Sequence, residues 1–504
     1  MPSTRCCGQN NRRDGVNYIG GQWVPSQSGR TMEDRNPADR DDLLGEVARS
    51  DEHDVAAAVA AARRAFPTWS ATPMPSRGDH LLRIGLALEQ EKDGLSRLMT
   101  REMGKTLKEA RGDVQEGIDF ALFMAGQSRA PIGDTVPSEL ARKFSMTVRH
   151  PIGVVGLITP WNFPIAIPTW KLWPALLAGN CIILKAAEDT PLCARRLVEL
   201  IEECGMPAGV VNLIQGTGEE AGAALVAHPD VRAISFTGSL ETGKLIAVEC
   251  GRQMKRYSME LGSKNVTIVM PDADLDLAVE GIAWGAFATS GQRCTATSRV
   301  VSLHPDFTDA LVEKVRTYKV GPGADETVDL APLISRTQRD RVLEYIRVGR
   351  EDDGARLLTG GHPLDEGELA KGNYIAPTVF TDATQNMRIA QEEIFGPVTA
   401  VIPVADLDTA IAVANSTQFG LSASIYTNDL TAAMRAVTEL EFGIVYVNAP
   451  TIGAEVQLPF GGMKSTGNGF REAGPHSLDE FTEWKAVSID FSHRLQKAQF
   501  KPGE

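Results

Sequence analysis

Several features that would assign a chain to a particular class of protein are absent from these 504 residues. No run of about 18 apolar residues occurs, so the sequence predicts no membrane-spanning helix. Positive charge is also scarce: the formal net charge is −14, whereas a surface that binds nucleic acid needs a basic field. The hydrophobic content of 43% and the charged content of 23% are those of an ordinary globular protein. We therefore expect neither nucleic acid nor membrane as a partner.

Cysteine and histidine lack the spacing of a disulfide framework or a metal site. The seven cysteines include no C-x-x-C pair, and the eight histidines lie away from them. We therefore expect no bound metal, and thiols that stay reduced in the cytoplasm, since no signal peptide is apparent. The segment 1–15 carries arginines and polar residues without an apolar core, which predicts a disordered extension, with an organellar transit peptide as the second interpretation. The cysteines are Cys6, Cys7, Cys181, Cys193, Cys204, Cys250 and Cys294.

The chain is too long for one hydrophobic core, so two or three domains are expected. It begins with a predicted hairpin over 16–24, followed by predicted helices at 55–62, 76–91, 92–103 and 107–125. From residue 151, short apolar strands (154–158, 181–184, 210–214 and 233–236) alternate with helices. That pattern predicts a parallel sheet covered on both faces, with ligands bound beyond the carboxyl ends of its strands.

A second strand and helix series starts at Val266, which places a domain boundary near residue 262. The predicted fold is therefore α/β, with one doubly wound domain over 16–128 and 152–262 and another over 263–462. Residues 129–151 alternate apolar and polar positions without a helical period. They form either a surface hairpin or a strand that pairs with another subunit, and the closing segment (within 478–495) is a candidate to pair with them.

Cys294 is the first candidate for a chemical role. It lies between a helical apolar run and a predicted strand, in a turn of small residues that leaves the backbone open to a ligand. A thiol attacks a carbonyl carbon as the thiolate, which needs nearby positive charge or oriented N–H groups. Arg293 and the N–H groups around Gly291 offer both. Most cysteines are inert small hydrophobic residues, so this motif does not identify a nucleophile by itself.

Two glycine turns are candidates for binding a phosphate. The predicted strand that ends at Phe236 runs into Thr237-Gly238-Ser239 and then a helix, whose first N–H groups are free to bind an anion. Gly216-Thr217-Gly218 is a similar turn. Neither has the G-x-G-x-x-G spacing, and glycine turns often serve only as structural punctuation.

Polar residues follow other strands at the same edge. Lys185 and Glu188 are either solvated charges or hydrogen-bond partners of an adenosine ribose, where a carboxylate would repel a 2′-phosphate and favour NAD over NADP. Asn162 is either a turn former or a donor to an oxyanion. Glu260 is either a satisfied structural carboxylate or a desolvated general base with a raised pKa.

Taken together, these stretches resemble the aldehyde dehydrogenase superfamily, and the resemblance covers nearly the whole chain. Within that superfamily the chain is most similar to the 2-oxoglutarate semialdehyde (2,5-dioxopentanoate) dehydrogenase branch. Seven blocks occur in the family's order, which makes chance agreement negligible. They are 160–164, 185–188, 236–239, 260–262, 291–294, 392–397 and 459–462.

The resemblance implies a role for each matching residue. Cys294 is the implied nucleophile and Glu260 the general base, while Asn162 and the Cys294 N–H form the oxyanion hole. Lys171 and Glu472 correspond to the family's proton-exit path. Substrate would be bound by Phe163, Trp170, Arg293 and Phe460, although the three aromatic residues could equally belong to the core. The implied cofactor site comprises Thr159, Pro160, Trp161, Lys185, Glu188, Gly218, Phe236, Thr237, Gly238, Ser239, Gly262, Glu393 and Phe395.

The same resemblance implies the reaction and the assembly. NAD, with NADP less favoured, would bind to the first domain, and catalysis would occur in the second. The aldehyde would become a carboxylic acid through a thiohemiacetal and a thioester on Cys294. Relatives that pass the acyl group to coenzyme A often lack the Glu260 that this chain retains. The arm formed by 129–151 and 478–495 would join a homodimer or a homotetramer.

The sequence departs from the family's common pattern at two places. Ser263 follows Gly262 where a second glycine is usual, and the segment 464–472 has a different spacing. Arg293 and the Gly462-Met463-Lys464 segment resemble the branches that oxidise anionic aldehydes, because a cation near the thiol can pair with a distal carboxylate. Arg293 could instead form a structural salt bridge. Succinate semialdehyde and a broad range of aliphatic aldehydes remain alternative substrates.

Two other classes of function are open to the same fold. A non-catalytic structural protein would have no use for Cys294, Glu260 and Asn162 together. A thioesterase without a cofactor would leave Lys185 and Glu188 without a purpose. NADH formation from an aldehyde separates both classes from a dehydrogenase.

Overall fold

The computed structural model describes residues 15–499. The predicted extension over 1–15 lies outside the described residues except for its last one. The strands in chain order are β1 Val16–Ile19, β2 Gln22–Pro25, β3 Thr31–Arg35, β4 Leu43–Ala48, β5 Thr135–Val136, β6 Lys143–Pro151, β7 Val154–Ile158, β8 Cys181–Lys185, β9 Val211–Ile214, β10 Ala233–Thr237, β11 Arg256–Glu260, β12 Val266–Val269, β13 Arg299–Ser302, β14 Arg356–Thr359, β15 Thr378–Thr381, β16 Val398–Pro403, β17 Phe419–Gly420, β18 Ser422–Tyr426, β19 Ile444–Val447, β20 Met463–Lys464 and β21 Thr482–Asp490.

The helices in chain order are α1 Glu52–Ala71, α2 Met74–Glu102, α3 Leu107–Gln127, α4 Ala166–Ala178, α5 Pro191–Glu203, α6 Ala223–Ala227, α7 Leu240–Arg252, α8 Leu275–Phe287, α9 Phe307–Arg316, α10 Arg336–Arg347, α11 Arg388–Gln391, α12 Leu407–Asn415, α13 Leu430–Glu439 and α14 Ser477–Glu480. Short 3-10 or π turns cover 218–222, 288–291, 348–352 and 367–371.

The two helices predicted over 76–91 and 92–103 are wrong as separate elements, because they form the single helix α2. Its apolar stripe continues through the expected break: Leu88 and Leu95 lie on either side of it and are both fully buried. No proline interrupts the helix after its first turn. The continuous buried face therefore decides the length of α2.

The first sheet has the strand order β11-β10-β7-β8-β9-β1-β2. Its five strands from β11 to β9 are parallel, whereas β1 and β2 add an antiparallel hairpin at one edge. Strands β7 and β8 are buried along their whole length, as a sheet covered on both faces requires. The carboxyl ends of the parallel strands therefore meet at one edge, where the candidate cofactor residues lie.

The second sheet has the order β14-β15-β16-β13-β12-β18-β19, and only β14 is antiparallel to its neighbour. The chain passes from the first sheet to the second between Glu260 and Val266. The predicted α/β fold with two doubly wound sheets is confirmed. The exact domain limits stay predictions.

A third sheet consists of β21, β6 and β5. Strand β21 pairs with β6 in antiparallel register from Thr482 opposite Pro151 to Asp490 opposite Lys143. The closing segment thus pairs with the 129–151 arm of the same chain. Whether this sheet also joins subunits stays a prediction.

Between residues 15 and 499, no helix is both long and apolar enough to cross a membrane. Over the same range, no group of three or more His, Cys, Asp and Glu side chains is arranged to hold a metal ion.

Candidate active site

Cys294 follows a tight turn at the end of α8. Three consecutive residues of this turn, Thr289, Ser290 and Gly291, have left-handed backbone conformations with φ of 54°, 53° and 69°. A Cβ at Gly291 would lie only 2.0 Å from the Gly396 carbonyl oxygen. Only glycine fits this contact, because any side chain would collide with the backbone.

The turn is held by hydrogen bonds to three distant segments. The Thr289 N–H donates to Glu109 Oε1 on α3 at 2.5 Å. The Ser290 hydroxyl donates to the carbonyl of Ala331 at 2.5 Å. The carbonyl of Cys294 itself accepts a bond from Asn265 Nδ2 at 2.7 Å. The nucleophile candidate is therefore fixed by surrounding structure, as a strained turn requires.

Cys294 lies between two openings. On one side is a cavity of about 970 Å³, whose walls include seven of the predicted site residues besides Cys294. On the other side is a small pocket lined by Glu393 and Phe395, two of the predicted cofactor residues. A thiol in this position can reach ligands bound on either side. The seven residues on the cavity side are Phe163, Trp170, Thr237, Glu260, Arg293, Phe460 and Glu472.

The surroundings of Cys294 favour the protonated thiol. Burial raises the pKa of Cys294 well above its ordinary value. The carboxylates of Glu260, Glu393 and Glu472 raise this pKa further, whereas the Arg293 guanidinium lowers it. The thiol therefore keeps its proton at neutral pH, and another group must accept that proton before the sulfur attacks a carbonyl.

Glu260 ends β11 and is almost fully buried. Burial raises the pKa of its carboxyl well above the ordinary value, the nearby Glu472 raises it further, and Lys171 lowers it. A Cβ at Gly461 would lie 2.6 Å from Glu260 Oε1, so the glycine leaves room for the carboxyl group. A desolvated carboxyl group of this kind suits proton transfer near neutral pH.

Lys171 and Glu472 are brought together despite the unusual spacing of the 464–472 segment. The Lys171 ammonium forms a buried salt bridge with Glu472 and donates to Ser235 Oγ at 2.8 Å. Ser258 Oγ lies 3.2 Å from Ser235 Oγ and donates to Glu480. Burial raises the pKa of Glu480 to about 7. The polar network therefore continues beyond the two residues that the sequence indicated.

Asn162 lies in the loop between β7 and α4. Its side-chain Nδ2 donates to the carbonyl of Gln292 at 3.0 Å, two residues before Cys294. Its Oδ1 is buried without a hydrogen-bond partner among residues 15–499. An amide nitrogen carries two N–H donors, so one remains for a ligand. The amide group therefore lies next to the nucleophile turn, although Asn162 is not among the residues that line the large cavity.

The candidate ribose-binding residues form an ion pair at the carboxyl end of β8. Lys185 Nζ lies 2.7 Å from Glu188 Oε2. Burial raises the pKa of Glu188, but Lys185 and backbone N–H groups, including that of Gly218, outweigh this effect and hold the pKa below its ordinary range. The carboxylate is therefore charged at neutral pH. It is also 39% exposed, so a ligand can reach it.

The glycine turn after β10 leads into α7 as predicted. Ser239 caps this helix by accepting a bond from Thr242 N at 3.2 Å. A Cβ at Gly238 would lie 2.5 Å from the Phe236 ring, so the turn packs directly on that ring. Thr237 Oγ1 and Thr159 Oγ1 are buried without hydrogen-bond partners in the described part of the chain. These hydroxyl groups and the helix N-terminus fit a polar, anionic ligand such as a dinucleotide.

Glu393 and Phe395 lie opposite this edge. Glu393 Oε1 accepts a bond from Ser263 N at 2.8 Å, and burial raises its pKa to about 7. A Cβ at Gly262 would lie 2.8 Å from Glu393 Oε2, so a side chain there would displace the Glu393 carboxylate, whereas Ser263 is accommodated by donating to Asn265 Oδ1. Phe395 meets Trp161, which follows Pro160 after β7, edge to face with ring centroids 5.4 Å apart.

The aromatic candidates form one wall of the large cavity. The rings of Trp170 and Phe460 pack at 4.9 Å and 71°, and Phe163 lies on the same cavity. Trp170 Nε1 is buried with no hydrogen-bond partner among the described residues. These side chains therefore contact the cavity as well as the core.

Arg293 shows features of both roles considered for it. Its Nη2 lies 3.8 Å from Glu109 Oε1, and its Nε donates to Thr289 Oγ1 at 2.9 Å. Its guanidinium also lies 5.1 Å from the Phe163 ring and lines the cavity. The ion pair is long, so it leaves much of the guanidinium charge available to a ligand.

Three site residues on or just before α3 were missed by the sequence reasoning. Glu109 binds the nucleophile turn, and Lys105 and Asp113 bind the Asn162 loop. The one local signal was the capping box that Thr106 and Glu109 form at the start of α3. That signal marks the beginning of a helix, but it does not show what the helix will contact.

Comparison with known proteins gives a consistent result. The family model described as "Aldehyde dehydrogenase family" matches residues 23–487. The alpha-ketoglutaric semialdehyde dehydrogenase of Bacillus subtilis is 41% identical over 477 residues, which cover 94% of this chain and 98% of that protein. The 2,5-dioxopentanoate dehydrogenase of Saccharolobus solfataricus is 41% identical over 472 residues, covering 92% and 97%. A structure of betaine aldehyde dehydrogenase from Staphylococcus aureus with NAD+ is similar, with a TM-score of 0.93, 34% identity and 96% coverage of each chain.

Proposed function

Because this chain belongs to the aldehyde dehydrogenase family, we propose that it oxidises an aldehyde to a carboxylic acid with NAD as the oxidant, through a thioester on Cys294. The observation that carries the proposal is the position of Cys294 between the large cavity and the pocket lined by Glu393 and Phe395. The nucleophile thus has access to a carbonyl group from one side and to a cofactor from the other.

The first half of the reaction makes a bond between Cys294 Sγ and the carbonyl carbon. The thiol proton leaves toward Glu260, and the carbonyl oxygen becomes an oxyanion. The free N–H of Asn162 and the Cys294 backbone N–H bind this oxyanion. A bound NAD would supply the acceptor for the hydride that leaves the same carbon. Cys294 then holds the acyl group as a thioester.

The second half of the reaction releases the acid. Glu260 accepts a proton from water, whose oxygen attacks the thioester carbon while the carbon–sulfur bond breaks. The sulfur takes back a proton as it leaves. The Lys171–Glu472 ion pair, which continues to Ser235, lies close enough to Glu260 to shift the pKa of its carboxyl group, and this buried network would carry the surplus proton away from the site.

NAD is the proposed cofactor, held by Lys185 and Glu188 at the adenosine ribose, by Gly238 and Ser239 at the pyrophosphate and by Glu393 at the nicotinamide ribose. Support comes from the unpartnered hydroxyl groups of Thr159 and Thr237 at this edge. The charged Glu188 carboxylate would repel the 2′-phosphate of NADP, which favours NAD.

The proposed substrate is a small anionic semialdehyde such as 2-oxoglutarate semialdehyde. Two relatives at 41% identity carry names for this activity, and the Arg293 guanidinium next to Cys294 suits a distal carboxylate. Larger apolar aldehydes are a second candidate. The cavity of about 970 Å³ lies at the upper end of the range for small-molecule sites, and Trp170 and Phe460 form an apolar wall.

The experiment is a kinetic panel followed by NADH absorbance at 340 nm. It compares 2-oxoglutarate semialdehyde, succinate semialdehyde, pentanal and an aromatic aldehyde, each with NAD and with NADP. The Cys294→Ala variant should be inactive with all of them. If the wild type forms no NADH with any aldehyde, the dehydrogenase proposal is wrong and a structural role becomes the better hypothesis.

We also propose that the enzyme acts in the cytoplasm as a homodimer or homotetramer. The third sheet exposes apolar side chains on β6 and β21, with Phe144 44%, Trp484 55% and Ile489 49% exposed. Apolar groups on a sheet with a free edge strand favour pairing with another copy. Light scattering after size-exclusion chromatography measures the oligomer, and a monomer at micromolar concentration would contradict this part.

A further inference from the structure

The first two turns of α3 contact both loops of the candidate site. Glu109 and Asp113 are four residues apart and lie along one side of the start of the helix, and Lys105 lies two residues before its first residue. We call these three residues the α3 bracket. Glu109 holds the nucleophile turn through Thr289 N. Lys105 and Asp113 hold the loop that carries Asn162.

The contacts of Lys105 and Asp113 with this loop are made by a buried ion pair. Lys105 Nζ lies 2.9 Å from Asp113 Oδ2, and neither side chain is exposed. The same ammonium donates to the carbonyl of Asn162 at 2.7 Å and lies 4.0 Å above the Phe163 ring. An ammonium group that forms an ion pair with a carboxylate, donates to a carbonyl and lies over an aromatic ring has little freedom to move. The position of the Asn162 backbone is therefore tied to α3.

Asp113 adds a second connection, at the start of α4. This helix has no side-chain cap of its own. The N–H of Ala166, its first residue, donates instead to Asp113 Oδ1 at 2.7 Å. The carboxylate thus serves as a cap supplied by another helix. The loop from Asn162 to Ala166 is fixed at both ends by the same ion pair.

We propose that Lys105 and Asp113 are positioning residues for the reaction, which set the place of the Asn162 amide relative to Cys294. This inference rests on the proposed function, because it assumes that Asn162 binds the oxyanion. Neither residue touches the reacting atoms. Both act through the Asn162 loop, while Glu109 holds the opposing turn from the same helix.

The expected effect follows from how steeply catalysis depends on position. A misplacement of about 1 Å can lower a rate about 100-fold, and loss of one oxyanion donor lowers it roughly 100-fold to 1,000-fold. Lys105→Met should therefore lower the rate of thioester formation by roughly 10-fold to 100-fold. The affinity for NAD should change little, because the bracket does not contact the proposed cofactor residues.

The deciding experiment is a double-mutant cycle with Asn162→Ala, read as the rate of the first NADH burst in stopped flow. If Lys105 acts through Asn162, Lys105→Met should change the burst rate less than about twofold in the Asn162→Ala background. Asp113→Asn, which can still accept the Ala166 bond, should behave in the same way. A merely structural role would produce the same loss in both backgrounds.

Lys92→Met is the matched control. Lys92 Nζ also contacts α3, donating to Gln115 Oε1 at 2.5 Å, and its bond is with a residue outside the α3 bracket. Its removal should lower thermal stability without changing the burst rate. The pair variant Lys105→Met/Asp113→Asn leaves no unpaired buried charge, so it covers the case in which Lys105→Met alone does not fold.

Two results would overturn the inference: equal effects of the Lys105 variant with and without Asn162, or a folded pair variant with an unchanged burst. These failures differ from failure of the proposed function, in which the wild type itself gives no NADH with any aldehyde.

Discussion

Gly291→Ala tests whether the geometry of the nucleophile turn controls the reaction. The added methyl group would lie 2.0 Å from the carbonyl oxygen of Gly396, more than 1 Å inside an ordinary contact. The backbone φ of 69° adds a cost of about 1–2 kcal/mol for any residue with a side chain. The clash joins the backbone of the turn at Gly291 to the backbone carbonyl of Gly396, so no flexible side chain can move aside. The turn itself must therefore move by about 1 Å. A shift of this size near the reacting atom corresponds to a loss of about 100-fold in kcat.

The assay is steady-state kcat with the best aldehyde of the panel, together with a thermal unfolding midpoint. Gly126→Ala is the matched control, because no atom lies within 4 Å of the added methyl group in that helical position. The control should keep full activity and equal or greater stability. A Gly291→Ala protein with wild-type kcat would refute the reasoning, since it would show that the turn can relax without displacing Cys294.

Four further predictions concern single groups. Because Glu260 accepts a proton in both halves of the proposed reaction, Glu260→Gln should lower kcat about 100-fold to 10,000-fold and should also slow the first appearance of NADH; a variant with wild-type kcat would contradict this role. Since the pKa of Cys294 is raised, kcat/KM should rise between pH 7 and 9, and a profile that is flat over this range would count against the protonated thiol. Glu188→Gln should increase kcat/KM for NADP by about tenfold and lower kcat/KM for NAD, because the carboxylate repels the 2′-phosphate and is also a proposed partner of the NAD ribose; an unchanged ratio of the two kcat/KM values would contradict this role. Burial raises the pKa of the Glu116 carboxyl on the cavity wall to about 8, which is above the pKa of this group in the unfolded chain. The folded protein therefore loses stability from this group as the pH rises from 5 toward 8, because the buried carboxyl must lose its proton. The thermal midpoint of Glu116→Gln should accordingly fall less between pH 5 and 8 than that of the wild type.

Local patterns predicted strands β7 to β10 of the first sheet because these strands are mostly apolar, whereas β11 has three polar residues among its five and carried no such signal. Strands β7 and β8 are buried on both faces, which removes the alternation of exposed strands and leaves a clear signal. The sequence predicts two helices in place of α2, because a short sequence window reports only local periodicity. Its continuity depends on a stripe of leucines that packs against the rest of the domain.

The sequence predicted some residues of the candidate site and missed others. Cys294, Glu260 and Asn162 were named because their motifs match a family, and the structure places all three around the nucleophile turn or the cavity. Lys105 carried no signal, since a lysine after a glycine usually marks a solvated turn. It is fully buried here only because Asp113, eight residues later, and the carbonyl of Asn162 meet its ammonium.

The sequence alone determined the α/β class, strands β1, β2 and β7 to β10 of the first sheet, strands β12 and β13 of the second, the family and the residues whose chemistry suits attack on an aldehyde. These depend on local hydrophobic pattern and on side-chain type, which are present in the unfolded chain. The tertiary structure decided the pKa directions of Cys294 and Glu260, the pairing of Lys171 with Glu472 and the connection of α3 to two loops. Each of these depends on which distant groups share a small volume without water, and burial together with neighbouring charge sets electrostatic energies that no local pattern contains.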